Sequence, residues 1–548
     1  MFTQYISNKI ADTLKELYQI DFNPSIISGQ QSHYQFNGCF QISKILNKQI
    51  LDLAHNISSS INDDKITSFV SKPGFININI QDAFMNDFMS NYHIPFYDKN
   101  NKNILIDYGG PNIAKPLHVG HLRSFVIGNF LENLFKYYGY NVITDIHLGD
   151  WGLPMGQIVS EIIETKCNIT CENLLKLYPV ASQKCKEDDN KMNIAKKITG
   201  HIQNKQEPFF SIWKQIKDIS LIEISCILKK LNINFSLLLG ESDSSNVIPI
   251  VEKVLTEQKI LTHSNNAMIC NVSEDNDKKE IPPFLFKKSD GSYLYGTTDI
   301  STLYKRNIDY ELEKCIYVTD NRQEMHFKQL FRLAKKMNMN LDLIHIGFGT
   351  VNNLDGKPFK TRDGGVESLQ DLFKKAHEKV FHTIDLDVSF EEKNMLADII
   401  SIGSMKFYDL MNKVENGYVY NIDEMLNIHG KTGPYVFYSL VRAKKIFNST
   451  IYQEPKHYIL NIVEKQLIIE LSNLTNVIDK AFNSLQPYHI TDYIYNCSKM
   501  FSKFYEQCPI KKENDIQIKM SRLKICNLYI ESLHLCLNIL GIKCPNKM

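Results

Sequence analysis

Between residues 103 and 148 the chain switches hydrophobic period twice, and that alternation limits the possible folds more than any other feature. NILID at 103–107 is a short apolar run with the length of a buried strand. GGPNIAKP at 109–116 is rich in the Gly and Pro that punctuate loops. Over 121–138, Val126, Phe130 and Leu134 recur four apart, on one face of a helix, and Gly139 is a natural stop for it. NVITDIHL at 141–148 then reads as the next strand. Strand, helix and strand in this order make a βαβ unit, which requires parallel pairing and a right-handed crossover. A second unit follows, with KCIYVTD at 314–320, HFKQLFRLAKKM at 326–337 and DLIHIGFGTV at 342–351. The span between them includes a helical, Lys-rich stretch at 160–235, so the pattern predicts an α/β sheet split by a large insertion.

The flanks differ in kind. Residues 1–96 read as a small α/β unit: Ile10, Leu14 and Leu17 fall at helical spacing, Pro73-Gly74 marks a turn, and FININI at 75–80 alternates as a half-buried strand does. DKNNKN at 98–103 is a polar linker. Beyond about 390 the period is almost entirely helical, as in YILNIVEKQLIIELSNL at 458–474 and LKICNLYIESLHLCLNIL at 523–540. A chain of 548 residues exceeds what one core can bury, so three or four units are expected. The 62 Lys+Arg balance 61 Asp+Glu, which neither advertises nor excludes a nucleic-acid partner, because phosphate binding needs only a local basic face. The twelve cysteines are scattered without a CxxC, so reduced thiols and no structural metal are expected. No run approaches the roughly 20 apolar residues of a membrane span. The opening MFTQYISNKI lacks a secretory pattern, and a cytoplasmic location is expected.

The chemistry concentrates at His118-Val119-Gly120-His121, where the first loop meets its helix. A helix N-terminus offers free N–H groups and a positive dipole end to phosphate. Gly120 allows a nucleotide close to the backbone, and the two imidazoles can donate to phosphate oxygens as charge builds in a transition state. In open parallel sheets such a ligand lies at the carboxyl ends of the strands. Taken alone, the bare tetrapeptide is better explained by two histidines capping a turn.

Its surroundings are more specific. GPNIAKPLHVGHLRS at 110–124 closely resembles the HIGH signature as arginyl-tRNA synthetases carry it, and Lys357-Pro358-Phe359-Lys360-Thr361-Arg362 resembles, in degenerate form, the lysine loop of class I enzymes. Pro358 and Phe359 stand where the general loop has Met and Ser. Further blocks extend the resemblance over most of the chain: FVSKPGFINI at 69–78, HLGDWGLPMG at 147–156, DGSYLYGTTDI at 290–300, TDNRQEMHF at 319–327, TRDGGVESLQDLF at 361–373, GKTGPYVFYSLVRA at 430–443 and the terminal LNILGIKCPNKM.

The resemblance implies a Rossmann-type catalytic domain over 97–375 with an insertion at about 155–285. It also implies a tRNA-contacting N-terminal domain at 1–96, a connecting helical segment at 376–429 and an all-α anticodon-binding bundle at 430–548. It implies activation of arginine by ATP, taken as substrate with Mg2+, to arginyl-adenylate and pyrophosphate, with cognate tRNA bound first, and then transfer to the terminal ribose of tRNA(Arg). A monomer with no membrane association is expected. Catalytic and ATP-binding roles carry over to His118, Gly120, His121, Lys357 and Lys360, and to Lys115, thought to stand in for the loop lysine where that loop is poor. Arginine-binding roles carry over to Tyr295, Asp299 and Gln323 at the side chain, and to Asp107 and Asn112 at the α-amino and carboxylate end. The chemistry agrees: a guanidinium presents a planar fork of donors that a carboxylate matches, and Tyr295 and Asp299, four apart, share a helix face. Lysine cannot satisfy such a fork, so no editing domain is needed. Another class I synthetase, a nucleotidyltransferase and a catalytically dead tRNA-binding paralogue are the competing readings. The helical C-terminal part and the full set of histidines and lysines weigh against them.

Overall fold

The computed structural model describes residues 1–289, 291–357 and 368–548, which form two compact units: 1–96 with 427–538 and 544–548, and 97–426 with 539–543.

In the first unit the chain begins with α1 (Phe2–Tyr18), β1 (Ile26–Ser28), β2 (Tyr34–Phe36), α2 (Cys39–Leu46), α3 (Ile50–Ile61), β3 (Ile66–Ser71), β4 (Phe75–Ile80) and α4 (Asp82–Asn91). The strands form an antiparallel sheet in the order β1-β2-β4-β3. Helix α1 buries Phe2, Ile6, Ile10 and Leu14, whereas Leu17, expected on the same face, is exposed in the last turn. Strand β4 buries Ile76, Ile78 and Ile80 as its alternation predicts.

In the second unit the sheet is built from β5 (Asn103–Tyr108), α5 (Val119–Tyr137) and β6 (Asn141–Asp145). Next come α6 (Leu153–Thr165), α7 (Cys171–Glu187), α8 (Asp189–Gln203), α9 (Phe209–Leu231), α10 (Ile248–Glu257) and an antiparallel sheet of β7 (Leu261–Ser264), β8 (Ala267–Cys270) and β9 (Phe284–Lys287). The chain then rejoins the main sheet through α11 (Tyr295–Tyr310), β10 (Lys314–Asp320), α12 (Glu324–Lys336) and β11 (Asp342–Phe348). After β12 (Val351–Asn352) come α13 (Leu369–Thr383), α14 (Phe390–Leu410), β13 (Tyr418–Val419) and α15 (Ile422–Met425).

The main sheet is parallel throughout, in the order β11-β10-β5-β6. Ile104, Leu105 and Ile106 are fully buried at its centre, as a strand covered on both faces requires. Burial of each such side chain contributes roughly 1.5–3 kcal/mol. Because β5 and β10 are neighbours whose connections run to opposite edges, the order reverses between them, and a crevice opens at their carboxyl ends. The chain between the two βαβ units interrupts the sheet, and partway along it returns beside β6 through parallel bridges Asp145–Leu237 and Leu148–Gly240.

The chain closes with α16 (Gly433–Asn448), α17 (Ile462–Leu471), α18 (Leu474–Ser484), α19 (Tyr488–Gln507) and α20 (Ile516–Ile539). The apolar run at 458–474 is not one helix. Asn461 and Glu464 form a capping box that starts α17 at Ile462, and the chain turns at Ser472-Asn473 before α18.

Candidate active site

Helix α5 begins with an unusual cap. His118 is its N-cap: the Gly120 N–H donates to His118 Nδ1 at 3.1 Å, and the His118 N–H donates to His121 Nδ1 at 3.1 Å. Each ring spends its Nδ1 lone pair on the backbone, so each carries its proton on Nε2. The rings lie 4.0 Å apart, centroid to centroid. Burial pushes the His118 imidazole down to about 4, helped by the charges of Lys115 and Arg322. Burial, with His118 and Lys115 adding to it, takes His121 well below the ordinary value. Both therefore act at neutral pH as uncharged Nε2–H donors. Their tautomer is set by the helix start itself, which links the capping geometry to the chemistry.

Both histidines line a cavity of about 550 Å³ at the carboxyl ends of the parallel strands. Asp107, Asn112, Gly120, Tyr295, Asp299 and Gln323 line the same cavity, so most of the residues named from sequence are brought together. Lys115 and Lys357 are not among the lining residues: Lys115 Nζ sits 4.7 Å over the Tyr178 ring, and Lys357 is exposed. Lys360 lies outside the described residues, as do Pro358, Phe359, Thr361 and Arg362.

One end of the cavity is acidic. Asp299, in the first turns of α11, accepts from His326 Nε2 at 2.6 Å, and His147 Nε2 lies 3.8 Å from its other oxygen. The Tyr295 ring packs on His326 with centroids 4.7 Å apart. Glu241 faces the same space from the chain that returns beside β6, its backbone N–H bonded to Leu148 O at 3.0 Å. Burial pushes its carboxyl up to about 8, and Asp299 and Asp150 add to that. Asp150 is fully buried but paired with Lys217 Nζ at 2.6 Å, and it accepts from the Ser242 N–H at 2.9 Å, which fixes the backbone next to Glu241.

The floor holds a further charge cluster that sequence reasoning missed. Arg306 is buried and pairs with both Asp107, at 2.7 Å, and Asp145. Burial raises the Asp107 carboxyl, opposed by Arg306 and His147. Among the described residues, Asp107, Asp145 and His147 are the group whose donor atoms could surround a metal, all within 4.8 Å of one another. The guanidinium of Arg306 already occupies the position a cation would take between the two carboxylates. Two carboxyl groups thus share one arginine at the floor. Glu241 carried no readable sequence signal because it comes from returning chain, and His147 lay unremarked at the start of the HLGDWGLPMG block. His326 lay unremarked within the TDNRQEMHF block.

The opposite end is formed by Phe348 at the end of β11 and by Gly349, Thr350 and Val351 leading into β12, beside the start of α5. Uncharged donors at a helix N-terminus, a crevice at the strand-order reversal and an acidic recess make a site fitted to a phosphate-bearing ligand at one end and a cationic group at the other.

Comparisons with known proteins agree along the whole chain. Residues 84–422 match the family model for tRNA synthetases class I (R), catalytic domain; residues 436–548 match the DALR anticodon binding domain, and residues 4–80 the arginyl tRNA synthetase N terminal domain. The chain is 34% identical over 552 residues to the arginine–tRNA ligase of Alkaliphilus oremlandii, covering 94% of each protein. It is 33% identical over 584 residues to that of Francisella tularensis subsp. holarctica, covering 99% of each. Among solved structures, the arginyl-tRNA synthetase of Plasmodium falciparum superposes with a TM-score of 0.82 at 25% identity, covering 100% of this chain and 99% of that one. The Thermus thermophilus enzyme shares the fold, with a TM-score of 0.85 at 17% identity over 100% of both chains. The chain belongs to the arginyl-tRNA synthetase family.

Proposed function

We propose that the cavity activates arginine with ATP and that the arginyl group then passes to the 3'-terminal ribose of tRNA(Arg). In the first step an arginine carboxylate oxygen attacks the α-phosphorus, the bond to the bridging oxygen breaks, and pyrophosphate leaves. In the second, a ribose hydroxyl attacks the adenylate carbonyl, the bond from that carbon to the phosphate oxygen breaks, and AMP leaves with the hydroxyl's proton taken up by its phosphate. The first step needs no proton from the enzyme, so placement and donors aimed at the developing charge must supply the acceleration. His118 and His121 present Nε2–H groups to the α-phosphate, with Gly120 letting the nucleotide approach. Lys115, Lys357 and Lys360 neutralise the triphosphate, Lys115 by leaving its seat on Tyr178.

At the acidic end Asp299 and Glu241 take the guanidinium, with Tyr295 and Gln323 supporting it. Asp107, held at the floor by Arg306, takes the α-ammonium, and Asn112 supplies a polar partner there. The observation that carries this reading is the meeting, in one cavity, of two uncharged imidazole donors at one helix start and the carboxyl groups of Asp299 and Glu241 at the other end.

The same reading has residues 1–96 contacting tRNA, 97–375 doing the chemistry with the insertion at about 155–285, 376–429 connecting, and 430–548 reading the anticodon. Tyr438 is half-buried and stacks on Arg442, with the guanidinium 4.3 Å from its ring, so it is better disposed to stack a base than Tyr435, whose hydroxyl is 3.2 Å from Ser502 Oγ. ATP arrives as its magnesium complex, with the ion held by phosphate oxygens, and the enzyme acts as a cytoplasmic monomer. No helix among the described residues is long and apolar enough to cross a membrane.

ATP–pyrophosphate exchange measured with each amino acid in turn, with and without tRNA, tests the proposal. Exchange should require arginine and tRNA together. Exchange driven by another amino acid, or none with arginine and cognate tRNA, would overturn it.

A further inference from the structure

Two residues after His121, Arg123 is fully buried and points away from the cavity, into the turn that follows α14. Its Nη1 donates to Gly349 O at 2.9 Å and Asn416 O at 2.6 Å, and its Nη2 to Lys413 O at 3.2 Å and Val414 O at 3.1 Å. Nε lies 3.8 Å from the buried Asp409, which also accepts from the Tyr418 hydroxyl at 2.8 Å, and the guanidinium stacks on the Tyr418 ring at 5.1 Å. One side chain thus gathers backbone carbonyls from two separate stretches. Burying a guanidinium is costly unless its donors are satisfied, so its pairing with four carbonyls fixes where those stretches can sit.

The first of those stretches lines the cavity, and the second is hydrogen-bonded to it. Gly349 N–H donates to Val414 O at 3.0 Å, Tyr418 N–H to Thr350 O at 3.1 Å, and β12 pairs with β13 in parallel. The backbones touch closely: a Cβ on Gly349 would lie 2.4 Å from Asn416 C, and one on Gly417 would lie 2.8 Å from Thr350 O. Residues 348–351 line the end of the cavity opposite the acidic recess, and the chain runs from them directly into Lys357.

We infer that Arg123 is a positioning residue for the nucleotide end of the site: it sets the spacing between the histidine-bearing helix and the strand end from which the second signature springs. This rests on the reading of that end as the ATP side. Because Arg123 touches neither Asp299, Glu241 nor Tyr295, it should govern the use of ATP and leave arginine recognition alone.

The test uses the full chain with Arg123→Lys and, separately, Gly417→Ala, which pushes on Thr350 from the turn while leaving Arg123 in place. ATP affinity is measured by calorimetry and the KM values for ATP and arginine by exchange, on protein whose thermal unfolding shows a folded state. Arg123→Lys cannot serve four carbonyls, and both variants should weaken ATP binding and raise the KM for ATP at least tenfold, with the KM for arginine within twofold of the parent. ATP parameters unchanged in a folded Gly417→Ala or Arg123→Lys protein, or equal changes in both KM values, would overturn the inference. Loss of arginine specificity in the parent protein would instead count against the proposed function, and the calorimetric comparison would still decide the role of Arg123.

Discussion

At Glu241, burial and the charges of Asp299 and Asp150 push the carboxyl up to about 8, against 4.5 for the unperturbed group. With no substrate the carboxyl is therefore mostly protonated at neutral pH, and a guanidinium must displace that proton to gain a full ion pair. The sign follows: arginine affinity rises with pH up to about 8 and levels off above it. Below that point the KM for arginine should fall roughly tenfold per pH unit. Glu241→Gln should flatten this dependence; the same slope in that variant would show that the titrating group lies elsewhere. Asp299 plays a different part, because His326 donates to one of its oxygens and holds it as an acceptor. Asp299→Asn keeps the shape and removes the charge. A charge-assisted hydrogen bond contributes about 1.5–3 kcal/mol, so the KM for arginine should rise by roughly one to two orders of magnitude. An unchanged KM for arginine, with normal ATP behaviour, would remove Asp299 from the recess.

Among the elements, the first turn of α5 carries both stability and chemistry, and substitution can separate the two. His118→Asn keeps a side-chain acceptor for the Gly120 N–H, and Asn is among the best N-caps, so stability should change by less than about 1 kcal/mol. The variant loses the Nε2–H, and removal of one preorganised donor costs about 10²–10³ in rate. Single-turnover adenylate formation beside a thermal melt would decide it: a rate loss matched by an equivalent loss of stability would mean the ring only caps the helix. This element was also the most legible in the sequence. Strand β5, helix α5 and strand β10 lie within a residue or two of their apolar runs, because each is buried deeply enough for period alone to mark it. The meeting of Glu241 with His147 was not legible, since what brings them together is the bridge Leu148–Gly240 between segments about 90 residues apart, and no local period encodes a bridge. Arg306 stood in plain view within a helix, but its pairing with Asp107 and Asp145 depends on two strands that come from elsewhere in the chain. The run at 458–474 misled because apolar spacing continues through the Ser472-Asn473 turn: Leu471 and Leu474 are both buried on either side of it.

Over the whole chain, deletion of the helical C-terminal part is not a clean test of anticodon reading, because residues 539–543 belong to the catalytic unit. Within that unit Lys406 Nζ, 2% exposed, donates to Leu231 O at 2.6 Å and to Gly541 O at 2.7 Å. Gly541 in turn packs against the catalytic helix, where a Cβ would lie 2.1 Å from Asn129 Oδ1. A deletion would strip Lys406 of one of its two acceptors and uncover the flank of α5, so lost charging activity would not identify the anticodon contact; Tyr438→Ala in the full chain is the sharper probe. The lysine itself has a measurable signature. Burial, with Lys543 adding to it, lowers its ammonium from 10.5 to about 7. A folded-state value below the unfolded one means that between those two pH values the unfolded chain holds the extra proton, so folded stability rises with pH across that window. From pH 7 to 8.5 the gain should be on the order of 1–2 kcal/mol. Lys406→Met loses the hydrogen bonds to both carbonyls and should be less stable than the parent at every pH, but its stability should lack this rise. The gap between parent and variant in thermal unfolding should therefore widen from pH 7 to 8.5. A constant gap would mean that the two carbonyls hold the ammonium charged, and that the pH dependence of the fold comes from other groups.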